Sequence, residues 1–218
     1  AVGIVRDKSY FDQYDYKDVI DDRLYQQNKT LYNKDNKDNK DNKPLITFVI
    51  PSIGRETLKR TINSLKNINN KNWNAIIVFD GIEPNIDRND IDHRIKVIKL
   101  NKKLGEGRNS AGNVRNKAFE YINTQWVGFV DDDDTLNPNY INDFLNHLKQ
   151  HPNLDVVIFR MIYKDGLILP PIGDTEFFKN KVGISFCMKT VDANKYKFEP
   201  SRFEDFELLD KLRNDKKN

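Results

Sequence analysis

The stretch Trp126-Val127-Gly128-Phe129-Val130, followed at once by Asp131-Asp132-Asp133-Asp134, decides how this chain is to be read. A short run of β-branched and aromatic residues predicts a buried strand, and the acidic run marks its carboxyl end. Two unit charges 4 Å apart repel by about 4 kcal/mol at an effective dielectric near 20. Consecutive carboxylates at a strand end therefore need a cation or strong donors beside them. In an extended chain, alternation turns Asp131 and Asp133 to one side and Asp132 and Asp134 to the other. One such pair suits a hard divalent ion, Mg²⁺ or Mn²⁺, held by one or two carboxylates together with substrate phosphates. A solvated cap for the helix opening near Pro138 is the plainer alternative; it accounts for the acids but not for the buried strand that presents them.

Strands and helices alternate on both sides of this stretch. Leu45–Ile50, Ala75–Phe79, Ile95–Leu100 and Val156–Phe159 are further short apolar runs of strand type, as is the later run 182–188. Between them, Arg55–Leu65 carries Leu58, Ile62 and Leu65 at helical spacing, Ser110–Tyr121 carries Val114, Ala118 and Tyr121, and a third helix follows Asn137-Pro138. A last helix is expected over 203–212. This alternation predicts an α/β fold with a mostly parallel sheet covered by helices on both faces. Ligands of such sheets bind beyond the carboxyl ends of the strands. The polar residues there are Pro51-Ser52, Asp80-Gly81 and Asp131–Asp134.

Composition narrows the field. Of 218 residues, 36 are Lys or Arg and 33 Asp or Glu, a formal charge of +3 too small and too mixed to favour a nucleic-acid partner. No apolar run approaches the about 18 residues of a membrane span. The single Cys187 excludes an internal disulfide framework and any multi-cysteine zinc site, and its apolar surroundings predict an inert core thiol. With no signal-peptide pattern, the expectation is a cytoplasmic protein. Residues 1–32 are expected to form a helical extension lying on the main domain, or a docking arm through which copies form a homo-oligomer. The Asn/Lys/Asp-rich segment 33–43 is expected to be a solvated linker, and 44–218 the main domain.

The chain resembles the family 2 glycosyltransferases of the GT-A (Rossmann-like) fold. Pro51-Ser52-Ile53-Gly54-Arg55 is similar to the turn after their first strand, and Asp80-Gly81 to the acidic turn after their second, with Phe79 in place of a first aspartate. Val114-Arg115-Asn116 matches their Ala-Arg-Asn helix start, and Phe129-Val130-Asp131-Asp132-Asp133-Asp134 their acidic signature. Glu204-Asp205 matches the late acid pair at the head of a helix. The resemblance covers about residues 44–213 and implies a metal-dependent inverting transfer of a sugar from a nucleotide-sugar donor, a UDP-sugar, to a glycan, glycoprotein or other hydroxyl acceptor. It implies donor-binding roles for Pro51, Ser52, Arg55, Asp80, Gly81, Arg115, Asp131 and Asp132. Asp133 with Asp131 would hold Mn²⁺ or Mg²⁺. Asp205, with Glu204 beside it, would be the catalytic base. Gly105-Glu106-Gly107 would be a flexible loop over the donor, and Gly183-Ile184-Ser185 either an acceptor-pocket lining or a buried strand.

Two other functions are compatible with parts of the sequence. Asp131-x-Asp133-x-Thr135 after an apolar strand also resembles the haloacid-dehalogenase-like, Mg²⁺-dependent phosphatases, which carry that motif on the first strand of their core. A non-catalytic nucleotide-sugar-binding module would keep the acidic turn without using Asp205.

Overall fold

The computed structural model describes residues 2–6, 44–87, 90–105, 111–173 and 176–215. Its main sheet has six strands in the order β4-β3-β2-β5-β10-β7. They are β2 (Ile46–Ser52), β3 (Trp73–Phe79), β4 (Ile95–Lys99), β5 (Trp126–Phe129), β7 (Val156–Ile158) and β10 (Phe186–Lys189). Strands β4, β3, β2 and β5 run parallel, and β10 lies antiparallel between β5 and β7. The sheet is therefore mostly parallel, as the alternation predicted.

The central parallel strands β2 and β5 are buried along their whole length, which explains their largely apolar runs, whereas the edge strand β4 carries the half-buried Lys96 and Lys99. Ile46, Phe48 and Ile50 of β2 face one core layer with Leu58, Ile62 and Leu65 of α1 (Leu58–Lys66) and Tyr140, Ile141 and Phe144 of α3 (Tyr140–Gln150). Val49 faces the other layer, which holds Val127 and Phe129 and the helices α2 (Gly112–Ala118), α4 (Thr190–Tyr196) and α5 (Glu204–Asp215). Phe79 is fully buried in the first layer, so it serves the core where the family pattern has an acid.

The strand order reverses beside β2: β3 and β4 extend to one side, β5 to the other. The gap between the carboxyl ends of β2 and β5 is the switch point where such sheets bind ligands. Ser52 and the acidic run stand on its two sides.

The structure departs from the expected pattern in a second, four-stranded sheet of order β6-β1-β8-β9. It is built from β1 (Val2–Arg6), β6 (Asp134–Leu136), β8 (Arg160–Tyr163) and β9 (Ile168–Leu169). Its strands are too short to leave a periodic signal. Residues 2–6 are thus a strand, pairing Arg6 with Asp134, where a helical extension was expected. The expected helical spacing over 7–32, the linker 33–43, Glu106-Gly107 and Ser110 lie outside the described residues. No helix among the described residues is long and apolar enough to cross a membrane.

Cys187 lies in β10 with no exposed surface, and the Tyr140 hydroxyl is 3.1 Å from its sulfur. Burial pushes the thiol up to about 12, despite the opposing pull of that hydroxyl. A thiol so placed offers almost no thiolate at neutral pH. In the native protein, Cys187 should therefore react with an aromatic disulfide reagent only at the rate of unfolding, and at once in denaturant. Rapid labelling without loss of structure would contradict the packing.

Candidate active site at the sheet switch point

The acidic run is a turn and not an extended segment. The Asp134 N–H donates to the Asp131 carbonyl at 3.1 Å, closing a β-turn over 131–134. The alternation expected of the four carboxylates is therefore absent, because a turn does not keep the two-residue period of a strand. Adjacent Asp132 and Asp133 instead share one cation. Arg55 Nη1 lies 3.2 Å from Asp132 Oδ1 and 2.8 Å from Asp133 Oδ2.

Asp132 faces inward across the switch point. Its Oδ2 accepts from Ser52 Oγ at 2.8 Å and from the Ile53 N–H at 3.2 Å, joining the ends of β2 and β5. Burial pushes its carboxyl above the usual carboxylate value, against the opposing pull of Arg55 and Ser52.

Helix α1 holds the turn from below. Arg60 donates to the Asp133 carbonyl at 2.8 Å, Thr61 to the Asp134 carbonyl at 2.7 Å, and Ser64 Oγ accepts from the Leu136 N–H at 3.1 Å. These residues escaped sequence reasoning. The available signal was Thr61, a polar residue directly beside Ile62 in the stripe that α1 buries.

The third group of contacts is centred on Arg115, which is only 3% exposed. Its Nη2 donates to Asp131 Oδ1 at 2.6 Å and its Nη1 to Glu204 Oε1. Glu204 also accepts from the Ala111 and Gly112 N–H groups at 3.1 and 3.0 Å, capping the positive end of α2 from the head of α5. The approach needs glycine: a Cβ at Gly112 would stand 2.8 Å from Glu204 Oε2 and 2.6 Å from Phe198 Cβ. Asn116 completes the junction by bonding both the N–H and the carbonyl of Phe198. Arg115 thus reaches two carboxylates here, and Asp205 adds to the field around it.

Asp80 and Gly81 form the outer wall. The Asp80 N–H donates to the Ser52 carbonyl at 2.9 Å, and its carboxylate accepts from the Leu104 and Gly105 N–H groups at 2.6 and 3.0 Å. Gly81 has φ +72°, and a Cβ there would meet the Lys103 nitrogen at 2.5 Å. Pro51 is buried in β2 beside them. The structure therefore gathers the expected residues at one sheet edge. Ile184 and Ser185 are buried, with Ser185 Oγ donating to the Phe159 carbonyl at 2.6 Å, so they belong to the core.

Among the described residues, no group of three or more acidic, histidine or cysteine side chains is arranged to hold a metal. Asp131 and Asp133 are two hard carboxylates in one turn. That donor set fits an ion shared with substrate phosphates and not one held by protein alone.

The family model described as Glycosyl transferase family 2 matches residues 47–202. The chain belongs to that family. The family 2 chain is 28% identical over 128 residues to EpsH of Bacillus subtilis (strain 168), covering 56% of this chain and 36% of EpsH. It is 24% identical over 171 residues to TarP of Staphylococcus aureus (strain N315), a poly(ribitol-phosphate) β-N-acetylglucosaminyltransferase, covering 71% of this chain and 52% of TarP. The structure of residues 1–349 of S. aureus TarS superposes with a TM-score of 0.60 at 18% identity, over 75% of this chain and 54% of that one. TarS has also been solved with UDP and with UDP-GlcNAc, with TM-scores of 0.59 and 0.58. These likenesses establish the GT-A fold. This chain spans about half or less of the length of each of these relatives. A phosphatase core is excluded, because the acidic turn follows β5 of a family 2 sheet and not a first strand.

Two outcomes test the site. Arg115→Met leaves Glu204 and Asp131 without their shared cation and should cost about 3–5 kcal/mol in urea unfolding. A loss below about 1 kcal/mol would show the triad to be loosely held. Asp132 tests the pH dependence. Because its value is raised, the folded state holds the proton more tightly. Its contribution favours folding below the ordinary carboxylate range and is lost as pH rises through the raised value. The stability of the parent relative to Asp132→Asn should accordingly fall as pH rises from the ordinary carboxylate range through the raised value, and level off above it.

Proposed function

We propose that this chain carries the donor-binding and catalytic face of an inverting glycosyltransferase. It would move a sugar from a nucleoside-diphosphate sugar, a UDP-sugar, to a hydroxyl of a glycan, glycoprotein or other acceptor. The observation that carries this proposal is the Arg115 bridge. It brings the acidic turn after β5, 16 residues beyond Arg115, and the Glu204-Asp205 head of α5, 89 residues beyond it, to one cation at the switch point of the sheet. The TarS complexes with UDP and UDP-GlcNAc, on the same fold, support the choice of donor.

Each residue then has a role. Pro51, Ser52, Asp80 and Gly81 line the side that receives the base, with Asp80 keeping Leu104 and Gly105 at its rim. Asp131 and Asp132 face the donor, and Asp131 with Asp133 would hold a divalent ion. When bound, that ion supplies Lewis-acid stabilisation of charge on the departing nucleoside diphosphate. Glu204 and Arg115 act as positioning residues, since Glu204 is spent on α2 and Arg115.

Asp205 is the base. The acceptor oxygen forms its bond to the anomeric carbon as the bond from that carbon to the phosphate oxygen breaks. The acceptor proton passes to the Asp205 carboxylate. Attack opposite the leaving group inverts the configuration.

Asp205→Asn should retain the thermal shift given by UDP with Mn²⁺ while lowering turnover by about 10²–10⁴-fold. Parental turnover in this variant would overturn the base assignment. UDP binding without any turnover in the parent would identify a non-catalytic nucleotide-sugar-binding module.

A further inference from the structure

We propose that Arg55 makes metal capture at the acidic turn conditional on the nucleotide. It acts as a built-in counter-cation that excludes a lone divalent ion and changes partner when a diphosphate arrives. This rests on the donor proposal above and adds to it an order of events and a residue that enforces it.

Arg55 and Arg115, the arginines that pair with the carboxylates, are held very differently. The Arg115 side chain is 4% exposed and lies between Asp131 and Glu204, so displacing it would cost two ion pairs, one of them to a buried acid. Arg55 is 23% exposed at the rim, and one nitrogen, Nη1, serves both Asp132 and Asp133. The backbone leading to it is fixed: the Gly54 N–H donates to Ser52 Oγ at 3.0 Å, and its carbonyl accepts from Asn85 Nδ2 at 2.7 Å. The main chain is pinned, and the side chain reaches outward from it.

Asp132 keeps Ser52 and the Ile53 N–H whatever Arg55 does, so it is not stranded by a change of partner. Asp133 is the carboxylate whose charge passes between Arg55 and an arriving ion. A divalent ion that approaches alone meets an acid already neutralised by a guanidinium, and like charges repel. A nucleoside diphosphate changes that balance. Its phosphate oxygens offer a guanidinium a forked partner at least as good as a shared carboxylate. Arg55 moves to the phosphate, Asp133 is released to the ion, and charge is conserved in the exchange. An arginine with a purely structural role would be indifferent to the nucleotide.

The test measures Mn²⁺ binding to the full chain by electron paramagnetic resonance of the free ion, with and without UDP. In the parent, UDP should tighten Mn²⁺ binding by about tenfold or more, and Mn²⁺ should tighten UDP binding by the same factor. Arg55→Gln keeps a hydrogen-bonding group but removes the charge. It should bind Mn²⁺ alone about tenfold tighter than the parent, and UDP should tighten it by correspondingly less, since ligation of the ion by the phosphates is unaffected. Arg55→Lys keeps the charge without the fork, so it should bind Mn²⁺ alone with about the parental affinity. The role of Arg55 is overturned if Arg55→Gln binds Mn²⁺ alone within about twofold of the parent while UDP still tightens it. The parent decides without any variant: equal Mn²⁺ affinity with and without UDP also overturns it. A parent that binds neither UDP nor Mn²⁺ overturns the donor proposal itself, and this one with it.

Discussion

Negative charge concentrated at one edge of the sheet is the constraint around which this domain is organised. Asp131, Asp132, Asp133 and Glu204 converge where β2 and β5 diverge. The protein neutralises them with two arginines, each shared between two carboxylates. Sharing matters because a buried carboxylate without a partner is among the costliest features a fold can carry. Much of the nearby architecture serves these contacts. Gly112 lets Glu204 reach the head of α2, Asn116 fixes Phe198 at the approach to α5, and α1 ties down the carbonyls of the acidic turn.

This arrangement joins distant parts of the sequence into one cooperative unit. Arg115 links β5 to α5, Asp132 links β5 to β2, and Asp80 links β3 to the loop at Leu104-Gly105. None of these contacts is local, so the site forms only when the sheet order is complete. The family 2 relatives extend well beyond the matched region.

The fold was legible in the sequence where burial dictates composition. Ile46–Ser52 and Trp73–Phe79 are largely apolar on both faces because both faces are covered, and the amphipathic helix α1 between them shows the period its single buried stripe requires. The acidic turn was legible because such charge after a buried strand needs an explanation. Its geometry was not: a turn closed by the Asp134 N–H destroys the alternation that an extended chain would keep. The partners of Arg115 were equally hidden. An arginine sixteen residues before one acid and 89 before another carries no local mark of either contact. Strands β6, β8 and β9 and helix α4 were missed because they are short and mix polar with apolar residues, unlike the equally short but apolar β5 and β10. The strand at Val2–Arg6 exists only through pairing with β6 and β8.

Under the proposed mechanism, Glu204 and Asp205 divide two tasks within one dipeptide. Successive residues on a helix project about 100° apart. If Glu204 turns toward the head of α2, its neighbour is directed elsewhere on the same first turn. Glu204 is buried, with both oxygens engaged by Ala111, Gly112 and Arg115, whereas Asp205 is only half-buried and contributes to the field around Arg115. The first acid fixes the position of the helix, and the second takes its own position from that anchor. A base must be held within hydrogen-bonding reach of a hydroxyl through the whole displacement. An anchor one residue away on a rigid helix meets that requirement better than a loop would. The pair therefore makes physical sense as an anchor followed by a reactive group, even though the two residues carry the same charge.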